Sequence, residues 1–487
     1  MKTQKWISLI LVIVVLVSIV TACGTTVQEG PQVGDLLMES GTYEADGESY
    51  PADIGTLFVP ENRGNPDSRL IELPVIRIRA LGDSPTEPIF PLAGGPGQSN
   101  MEFSRLNGLI DNHNIVMVGY RGVDGSVVLD CPEVAEALKG VGNDLFSEQS
   151  LTNLRDAFTS SASRLQSEGV DLEDYTMPEV VEDIEAARIA LGYERINLFS
   201  ESYGTRVAMI YSWIHPESIY RSAMISVNPP GHFVWEPDIT DAQIRYDASL
   251  WAQDAERSAH TEDLAETMRN VAHNMPDEWQ GLPIDPGKVM MMTHFLLFSR
   301  GSAAMVYDAY VAAEEGDPSG LAMMSQLYDS AIPPAIIWGD FASKGMTDYG
   351  SERDYITEML NPPDSIIGAP GSMIGGVIVA GSWPINTLPA ELRQVQPSDV
   401  ETLLVSGNAD FSTPSQFATD ELLPFLSNGE QVILSESGHT DAWDMQPEAT
   451  VRLLTSFYDT GVADASLYSY QPMDFHVEIG FPEMAKQ

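Results

Sequence analysis

The chain has 487 residues, with 71 acidic and 25 basic side chains and a formal net charge of −46. Because 43% of its residues are hydrophobic, it has enough apolar material for a sizeable core, which excludes a disordered acidic chain. The acidic excess leaves no basic patch to neutralise phosphates, so we exclude nucleic acid as a partner and expect polyanionic substrates to be repelled.

The first 22 residues have the pattern of an export signal. Lys2 and Lys5 precede an apolar run over residues 6–20, which is short for a membrane-spanning helix. The run ends in V-T-A-C, which is similar to a bacterial lipobox whose cysteine, Cys23, receives diacylglycerol. We predict a signal peptide over 1–22 and an extracytoplasmic protein anchored by lipid to the bacterial cell membrane. An uncleaved anchor and an ordinary secretory signal are the alternatives.

Residues 23–46 are rich in Gly, Thr and Glu without periodicity, which predicts a tether between the lipid and the folded part. The chain has one other cysteine, Cys131. Once Cys23 is lipidated no intramolecular disulfide can form, so we expect a packed core to supply stability and Cys131 to be buried in it. The C-x-x-C and H-E-x-x-H spacings are absent, which predicts that the protein needs no metal.

From residue 47 onward, short apolar runs alternate with helical patterns. A helix is predicted from Pro178 to Leu191, with Gly192 at its end. The predicted strands, of which the first two form a hairpin, are 54–59, 71–80, 89–92, 115–118, 196–199, 223–227, 402–405 and 431–434. Strands that alternate with helices predict an α/β fold with a mostly parallel sheet and helices on both faces.

Residues 234–375 interrupt this alternation. They are rich in Met, Ala and Tyr at helical spacing and poor in strand patterns. We interpret them as a helical cap inserted into an α/β core whose two parts are residues 47–233 and 376–487.

The strand at 196–199 runs into S-E-S-Y-G and then into another helical pattern. This context is typical of a nucleophile elbow, a turn so tight that the residues two before and two after the nucleophile must be small. Ser200 and Gly204 meet this requirement around Ser202. Leu198 is too bulky for Ser200 itself to be the nucleophile, so we predict that Ser202 is.

A glycine-rich stretch, G-G-P-G, follows the strand at 89–92. Adjacent glycines let the backbone turn its N–H groups toward a ligand, as an oxyanion hole requires. We predict one oxyanion donor at Gly95, with Gly94 as the alternative, and the other at the N–H of Tyr203.

Asp410 and His439 follow the two last predicted strands. Their order after Ser202 is that of α/β-hydrolases, in which an acid and a histidine lie on successive strand-end loops. His476 also lies beyond Asp410 but follows no strand. We therefore predict a Ser202, Asp410 and His439 triad that acts through an acyl-enzyme without cofactor or metal.

With these motifs the sequence resembles the α/β-hydrolase peptidases of the proline iminopeptidase and tripeptidyl aminopeptidase family. The matching stretches are V-P at 59–60, G-G-P-G at 94–97, Y-R-G at 120–122, A-L-G-Y at 190–193, S-Y-G-T at 202–205 and the loop 410–414. The resemblance implies a serine exopeptidase that cleaves residues or short peptides from free N-termini, with peptide as substrate and a cap that holds its amine. Acidic candidates for that role are Glu256, Glu262, Asp263, Glu266, Asp308, Glu314, Glu315 and Asp329.

Glu201 is the main departure from this family. The sequence E-S-Y also occurs in serine carboxypeptidases, where the glutamate helps bind the terminal carboxylate of the substrate. Glu201 is therefore a candidate substrate-binding residue, and a carboxypeptidase is the runner-up. A partner for Arg206 or another nearby base is an equal interpretation of Glu201. An esterase or lipase-like hydrolase and an inactive surface-binding lipoprotein are further alternatives, and the oligomeric state stays open.

Overall fold

The computed structural model describes residues 30–350, 353–360 and 362–486. The predicted signal peptide at 1–22 and the predicted lipidation site at Cys23 lie outside the described residues. Within them, no helix is both long enough and apolar enough to cross a bilayer.

Eleven strands are described. They are β1 Leu36–Ala45, β2 Glu48–Pro60, β3 Leu70–Ile78, β4 Ile89–Leu92, β5 Ile115–Val118, β6 Ile196–Glu201, β7 Ile219–Ile225, β8 Glu278–Trp279, β9 Leu282–Pro283, β10 Glu401–Gly407 and β11 Gly429–Leu434. Nine of these form one sheet in the order β1-β2-β3-β5-β4-β6-β7-β10-β11. The strands β1 to β3 are antiparallel, β3 pairs antiparallel with β5, and the rest run parallel. The mostly parallel sheet is as predicted.

Helices lie between these strands. The α-helices are Leu109–Asn112, Pro132–Ala137, Glu148–Ser167, Met177–Leu191, Tyr203–Ile214, Pro237–Trp251, Leu264–His273, Pro286–Leu296, Arg300–Glu314, Ser319–Ala331, Trp338–Gly345, Tyr355–Met359, Ser372–Val377, Asp441–Met445, Pro447–Thr460 and Phe481–Met484. Shorter 3-10 or π segments are Leu172–Asp174, Pro216–Ser218, Arg257–Ala259, Ile378–Ser382, Ala390–Arg393, Phe417–Leu422 and Leu423–Phe425. Eight of the α-helices lie between β7 and β10, where the cap is predicted over 234–375; the outer limits of the cap stay a prediction.

The structure differs from the predicted tether over 23–46. Residues 36–45 form β1, which pairs along its whole length with β2, from Leu36 opposite Leu57 to Ala45 opposite Glu48. The strand lies at the edge of the sheet and most of its side chains are exposed on both faces. It therefore lacks the alternation of apolar and polar residues by which a strand is recognised in sequence.

Elements with strong local patterns match their predictions. The strands β4 and β5 have the predicted bounds, and β2 and β3 form the predicted hairpin. The predicted helix ends at Gly192, whose φ of 77° provides the left-handed cap that glycine favours. The strand β7 ends at Ile225 rather than at 227, because Ser226 has a φ of 56° that breaks the extended backbone.

Two clusters of buried apolar side chains form the core. The larger joins the sheet to residues of the cap, and the smaller includes Leu453 and Phe457 of the helix Pro447–Thr460. Cys131 lies in the larger cluster with 2% exposure, as predicted, and its burial raises the pKa of the thiol to about 12.

A buried ion pair lies where the cap meets the core. Asp340 and Lys344, both on the helix Trp338–Gly345, are fully buried, and Lys344 Nζ lies 2.5 Å from Asp340 Oδ1. Lys344 Nζ also donates a hydrogen bond of 2.8 Å to the carbonyl oxygen of Arg121 in the core. On the other side, the N–H of Gly97 donates to Asp340 Oδ2 at 3.0 Å, and the N–H of Ile337 donates to Gly97 O at 2.9 Å. Both backbone groups of Gly97 are therefore held by the cap.

We expect Asp340→Ala to lower the free energy of unfolding by about 3–5 kcal/mol, because it leaves the Lys344 ammonium buried without its counter-charge. Chemical denaturation measures this loss. Glu136→Ala, which breaks the exposed pair of Glu136 with Lys139, serves as the control and should change little. Equal stability losses in the two variants would contradict the expectation.

Candidate active site

The predicted elbow is a sharp turn between β6 and the helix Tyr203–Ile214. Ser202 at its apex has φ 50° and ψ −121°, a backbone conformation that residues other than glycine rarely adopt. A Cβ atom at Gly204 would lie 2.0 Å from the carbonyl oxygen of Leu92, so the close approach of β4 requires glycine there. Ser200 is fully buried, and its hydroxyl donates to Ala223 O at 3.1 Å.

Asp410 and His439 meet beyond the carboxyl ends of β10 and β11. His439 Nδ1 lies 2.9 Å from Asp410 Oδ2. Asp410 is fully buried, and it also accepts hydrogen bonds from the backbone N–H groups of Ser412 and Thr413 at 2.8 Å and from Thr413 Oγ1 at 2.7 Å. These contacts fix the carboxylate against the imidazole.

The order of strands in the sheet, the sharp turn at Ser202 and the two loops that carry Asp410 and His439 together identify the fold. The chain has the α/β-hydrolase fold.

His439 is shielded from solvent on one side by Phe298. The two ring centroids are 5.5 Å apart, and the N–H of His439 donates to Phe298 O at 2.7 Å. Burial lowers the pKa of His439, but the carboxylates of Asp410, Glu201 and Asp441, with Asp410 the largest contributor, together more than offset this, so that the pKa lies above the usual 6.5. Phe298 also lines a cavity that contains Ser202. Ser202 and the aromatic residue that contacts the His439 ring therefore line the same cavity.

Within the described residues, no hydrogen bond joins Ser202 Oγ to His439. Hydrogen bonds between catalytic groups often shorten only in the complex with substrate. The structure thus pairs two of the three predicted residues directly, and the third, Ser202, lines a cavity together with Phe298, which contacts His439.

The predicted oxyanion donors lie next to Ser202. Gly95, with φ +125°, lines the same cavity, and a Cβ atom at Gly94 would lie 3.4 Å from Ser202 Cβ. Tyr203 is the first residue of its helix, so its N–H has no acceptor within the helix.

Glu201 does not line this cavity but a separate groove, together with Arg105. It forms an ion pair with Arg105, whose guanidinium carbon is 5.0 Å from the centre of the Trp443 ring. Arg206 instead pairs with Asp348 at 3.0 Å. The predicted pairing of Glu201 with Arg206 is therefore wrong, and the nearby base that pairs with Glu201 is Arg105. Substrate binding by Glu201 stays a prediction.

The cavity beside Ser202 is mainly apolar and rich in aromatic side chains. Its volume is about 310 Å³, and six of its lining side chains are Phe233, Trp235, Phe295, Phe298, Trp338 and Phe341. Of the described residues that line it, none is charged. The eight acidic candidates in the cap are therefore elsewhere; Glu262, Asp263 and Glu266, for example, line a separate groove.

Sequence reasoning missed this lining and one polar residue within it, Asn228. Phe233 precedes the predicted cap and the other aromatic residues come from separate stretches of it, so only folding brings them together. Asn228 did carry a signal, because it directly follows the predicted strand 223–227, whose neighbour in the sheet, β6, ends just before Ser202. The carboxyl ends of parallel strands share one edge of the sheet.

Comparison with known proteins agrees with the predicted resemblance. No protein-family model matches the chain. It is 25% identical over 246 residues to a tripeptidyl aminopeptidase of Streptomyces lividans, covering 47% of this chain and 45% of the relative. A tripeptidyl aminopeptidase of Streptomyces coelicolor is also 25% identical, over 243 residues. The α/β-hydrolase chain thus spans less than half the length of the curated relatives it matches.

Solved structures with similar architecture include a proline iminopeptidase of Mycobacterium smegmatis, with 14% identity, a TM-score of 0.39 and coverage of 83% of this chain and 97% of that one. An esterase of Thermogutta terrifontis has 12% identity, a TM-score of 0.37 and coverage of 83% and 98%. At these scores the assignment of the α/β-hydrolase fold depends on the sheet order and the elbow.

We expect NMR titration of the imidazole to give His439 a pKa above 6.5, and Asp410→Asn to lower this pKa. The asparagine removes the carboxylate charge but leaves the burial that disfavours the imidazolium. The His439 signal is assigned by its loss in His439→Gln. An unchanged pKa in Asp410→Asn would contradict the electrostatic role of Asp410.

Proposed function

We propose that the chain is a serine exopeptidase that hydrolyses the amide bond after the N-terminal residue or residues of peptides. The observation that carries this proposal is the position of Ser202, at a strained elbow beside a cavity that is also lined by Phe298, whose ring contacts the His439 imidazole paired with Asp410. The tripeptidyl aminopeptidase relatives support the choice of peptide as substrate.

The mechanism follows from the chemistry of these groups. The Ser202 hydroxyl attacks the scissile carbonyl while His439 accepts its proton, and His439 then donates that proton to the departing amine. Asp410 holds the imidazole in one tautomer and stabilises the imidazolium. The N–H groups of Gly95 and Tyr203 stabilise the tetrahedral oxyanion, each by about 3 kcal/mol. Water, activated by His439, hydrolyses the acyl-enzyme.

The aromatic cavity suits the side chain of the residue that is removed. Its volume of about 310 Å³ is at the small end of ligand pockets, which span roughly 300–1,000 Å³. Aromatic walls such as Trp235 and Phe298 favour an apolar side chain in contact with them. We infer that the acyl residue is apolar.

A second candidate function is hydrolysis of small apolar esters. The described lining of the cavity has no carboxylate to pair with a substrate ammonium, and an ester with an apolar acyl group would need none. A carboxypeptidase is a weaker candidate, because Glu201 already has Arg105 as its partner.

Ser202→Ala should lower kcat/KM by at least a thousandfold with little change in thermal stability, because the hydroxyl is the attacking group. Ser212→Ala, on the helix that follows the elbow, is the matched control and should retain the wild-type rate. Rates are measured with peptide p-nitroanilides. A Ser202→Ala enzyme that keeps more than about a hundredth of the wild-type rate would contradict the assignment of Ser202 as the nucleophile.

Acetylation of the substrate amine should lower kcat/KM by a hundredfold or more, about 2.7 kcal/mol, because a desolvated ammonium needs its partners. The comparison uses one peptide with its amine free or acetylated and its carboxyl group free or amidated, beside short-chain p-nitrophenyl esters. Sensitivity to amidation alone would favour a carboxypeptidase with Glu201 as the binding residue. Fast ester turnover with indifference to both changes would favour the esterase.

We also propose that Cys23 is lipidated and anchors the enzyme to the outer face of the cell membrane. The V-T-A-C sequence after a positive and then apolar segment supports this proposal. Removal of residues 1–22 would leave the cysteine at the N-terminus of the mature chain.

Cys23→Ser should abolish incorporation of radiolabelled palmitate and leave the unprocessed precursor, because the serine offers no thiol for diacylglycerol. Cys131→Ala is the control and should be labelled like the wild type. Detergent phase partitioning of cell extracts gives the same comparison. A soluble mature protein that begins at a residue other than Cys23 would rule out the anchor.

A further inference from the structure

The side-chain oxygen of Asn228, Oδ1, is buried without a hydrogen-bond donor among the described residues. The residue is 5% exposed, lies just beyond β7 and lines the cavity beside Ser202. Leaving a buried polar group unpaired costs about 1–3 kcal/mol. The unpaired oxygen of Asn228 in the lining of a cavity therefore points to a ligand that donates the missing hydrogen bond.

The backbone of Asn228 is tied to the nucleophile turn. Its N–H donates to Thr205 Oγ1 at 2.9 Å, and that hydroxyl donates to the carbonyl oxygen of Ser202 at 2.6 Å. The position of the Asn228 backbone relative to Ser202 is therefore fixed by two short hydrogen bonds. A backbone held in this way restricts where the side-chain amide of Asn228 can lie before a substrate binds, which lowers the entropic cost of binding.

The other uncharged polar groups around the cavity are less suited to accept a hydrogen bond from a buried ligand. Gln98 is exposed, and Ser412 already accepts from Trp235 Nε1, at 3.2 Å through its carbonyl oxygen and at 3.4 Å through its hydroxyl. Asn228 is thus the buried acceptor without a partner in this lining.

We propose that Asn228 Oδ1 accepts a hydrogen bond from the α-ammonium group of the residue that is removed, while the faces of Phe233 and Trp235 stabilise its charge. Both rings line the same cavity, and a cation over an aromatic face is stabilised without a carboxylate. This inference rests on the proposed exopeptidase function and names how its substrate is recognised.

The same geometry limits the number of N-terminal residues that one hydrolysis releases. In a substrate that loses one residue, the ammonium nitrogen is two bonds from the carbonyl carbon that Ser202 attacks. In one that loses three, it is six bonds farther along the chain. Because Asn228 and Ser202 line one small cavity, the substrate class we infer is peptides and arylamides that release a single N-terminal residue.

The test compares phenylalanine p-nitroanilide with its desamino analogue, 3-phenylpropionyl p-nitroanilide, which differ only in the amine. Asn228→Leu keeps the approximate volume without an acceptor, and Asn228→Asp keeps the acceptor and adds a charge. We expect Asn228→Leu to lower the ratio of kcat/KM for the two substrates at least tenfold, mainly through KM for the amine. Asn228→Asp should keep or raise that ratio.

Asn386→Leu makes the same chemical change at an exposed position and should leave both rates unchanged. Thermal midpoints are measured for every variant. Equal loss of both substrates in Asn228→Leu would mean a structural role and would overturn the inference, as would an unchanged ratio. If the wild type prefers the substrate with the amine and Asn228→Leu keeps that preference, the role of Asn228 is refuted but the exopeptidase function is not. A wild type indifferent to the amine, with hydrolysis still dependent on Ser202, would refute the exopeptidase as well.

Discussion

The close approach of β4 to the turn at Ser202 is the constraint on which the rest of the site depends. Gly204 can contact Leu92 O only because it has no side chain, and the serine before the helix accepts a positive φ to make the turn. That turn brings the hydroxyl out of the sheet, toward the loops that follow β4, β7, β10 and β11. The glycine-rich loop, Asn228, Asp410 and His439 all lie on those loops, so each takes its position from the order of strands in the sheet.

The sequence was sufficient for features that depend on local pattern. The strands β4 and β5 are short apolar runs because both faces of the sheet are covered, and Asp410 and His439 could be found because each follows such a run. The strand β1 escaped prediction because its stability comes from backbone pairing with β2 rather than from a buried face.

The lining of the cavity beside Ser202 could not be predicted from the sequence. Phe233, Phe295 and Trp338 are far apart in sequence, and only the packing of the cap on the core brings them to one space. Helical spacing shows that a residue is on a helix but not which neighbour that helix faces, so the acidic candidates of the cap could not be sorted into ligands and surface. The partner of Glu201 was open for the same reason, because Arg105 lies on a loop without periodic pattern.

The hold of the cap on Gly97 has a consequence for how such an enzyme can diversify. Ile337 and Asp340 bind the backbone of the loop that carries Gly95, so the cap is part of the scaffold of that loop as well as the wall of the cavity. Exchanging the cap for that of another hydrolase would remove the hydrogen bonds that hold this loop as well as most of the aromatic lining of the cavity. Selection for a new substrate in this lineage would then favour changes in the aromatic walls over wholesale replacement of the insertion.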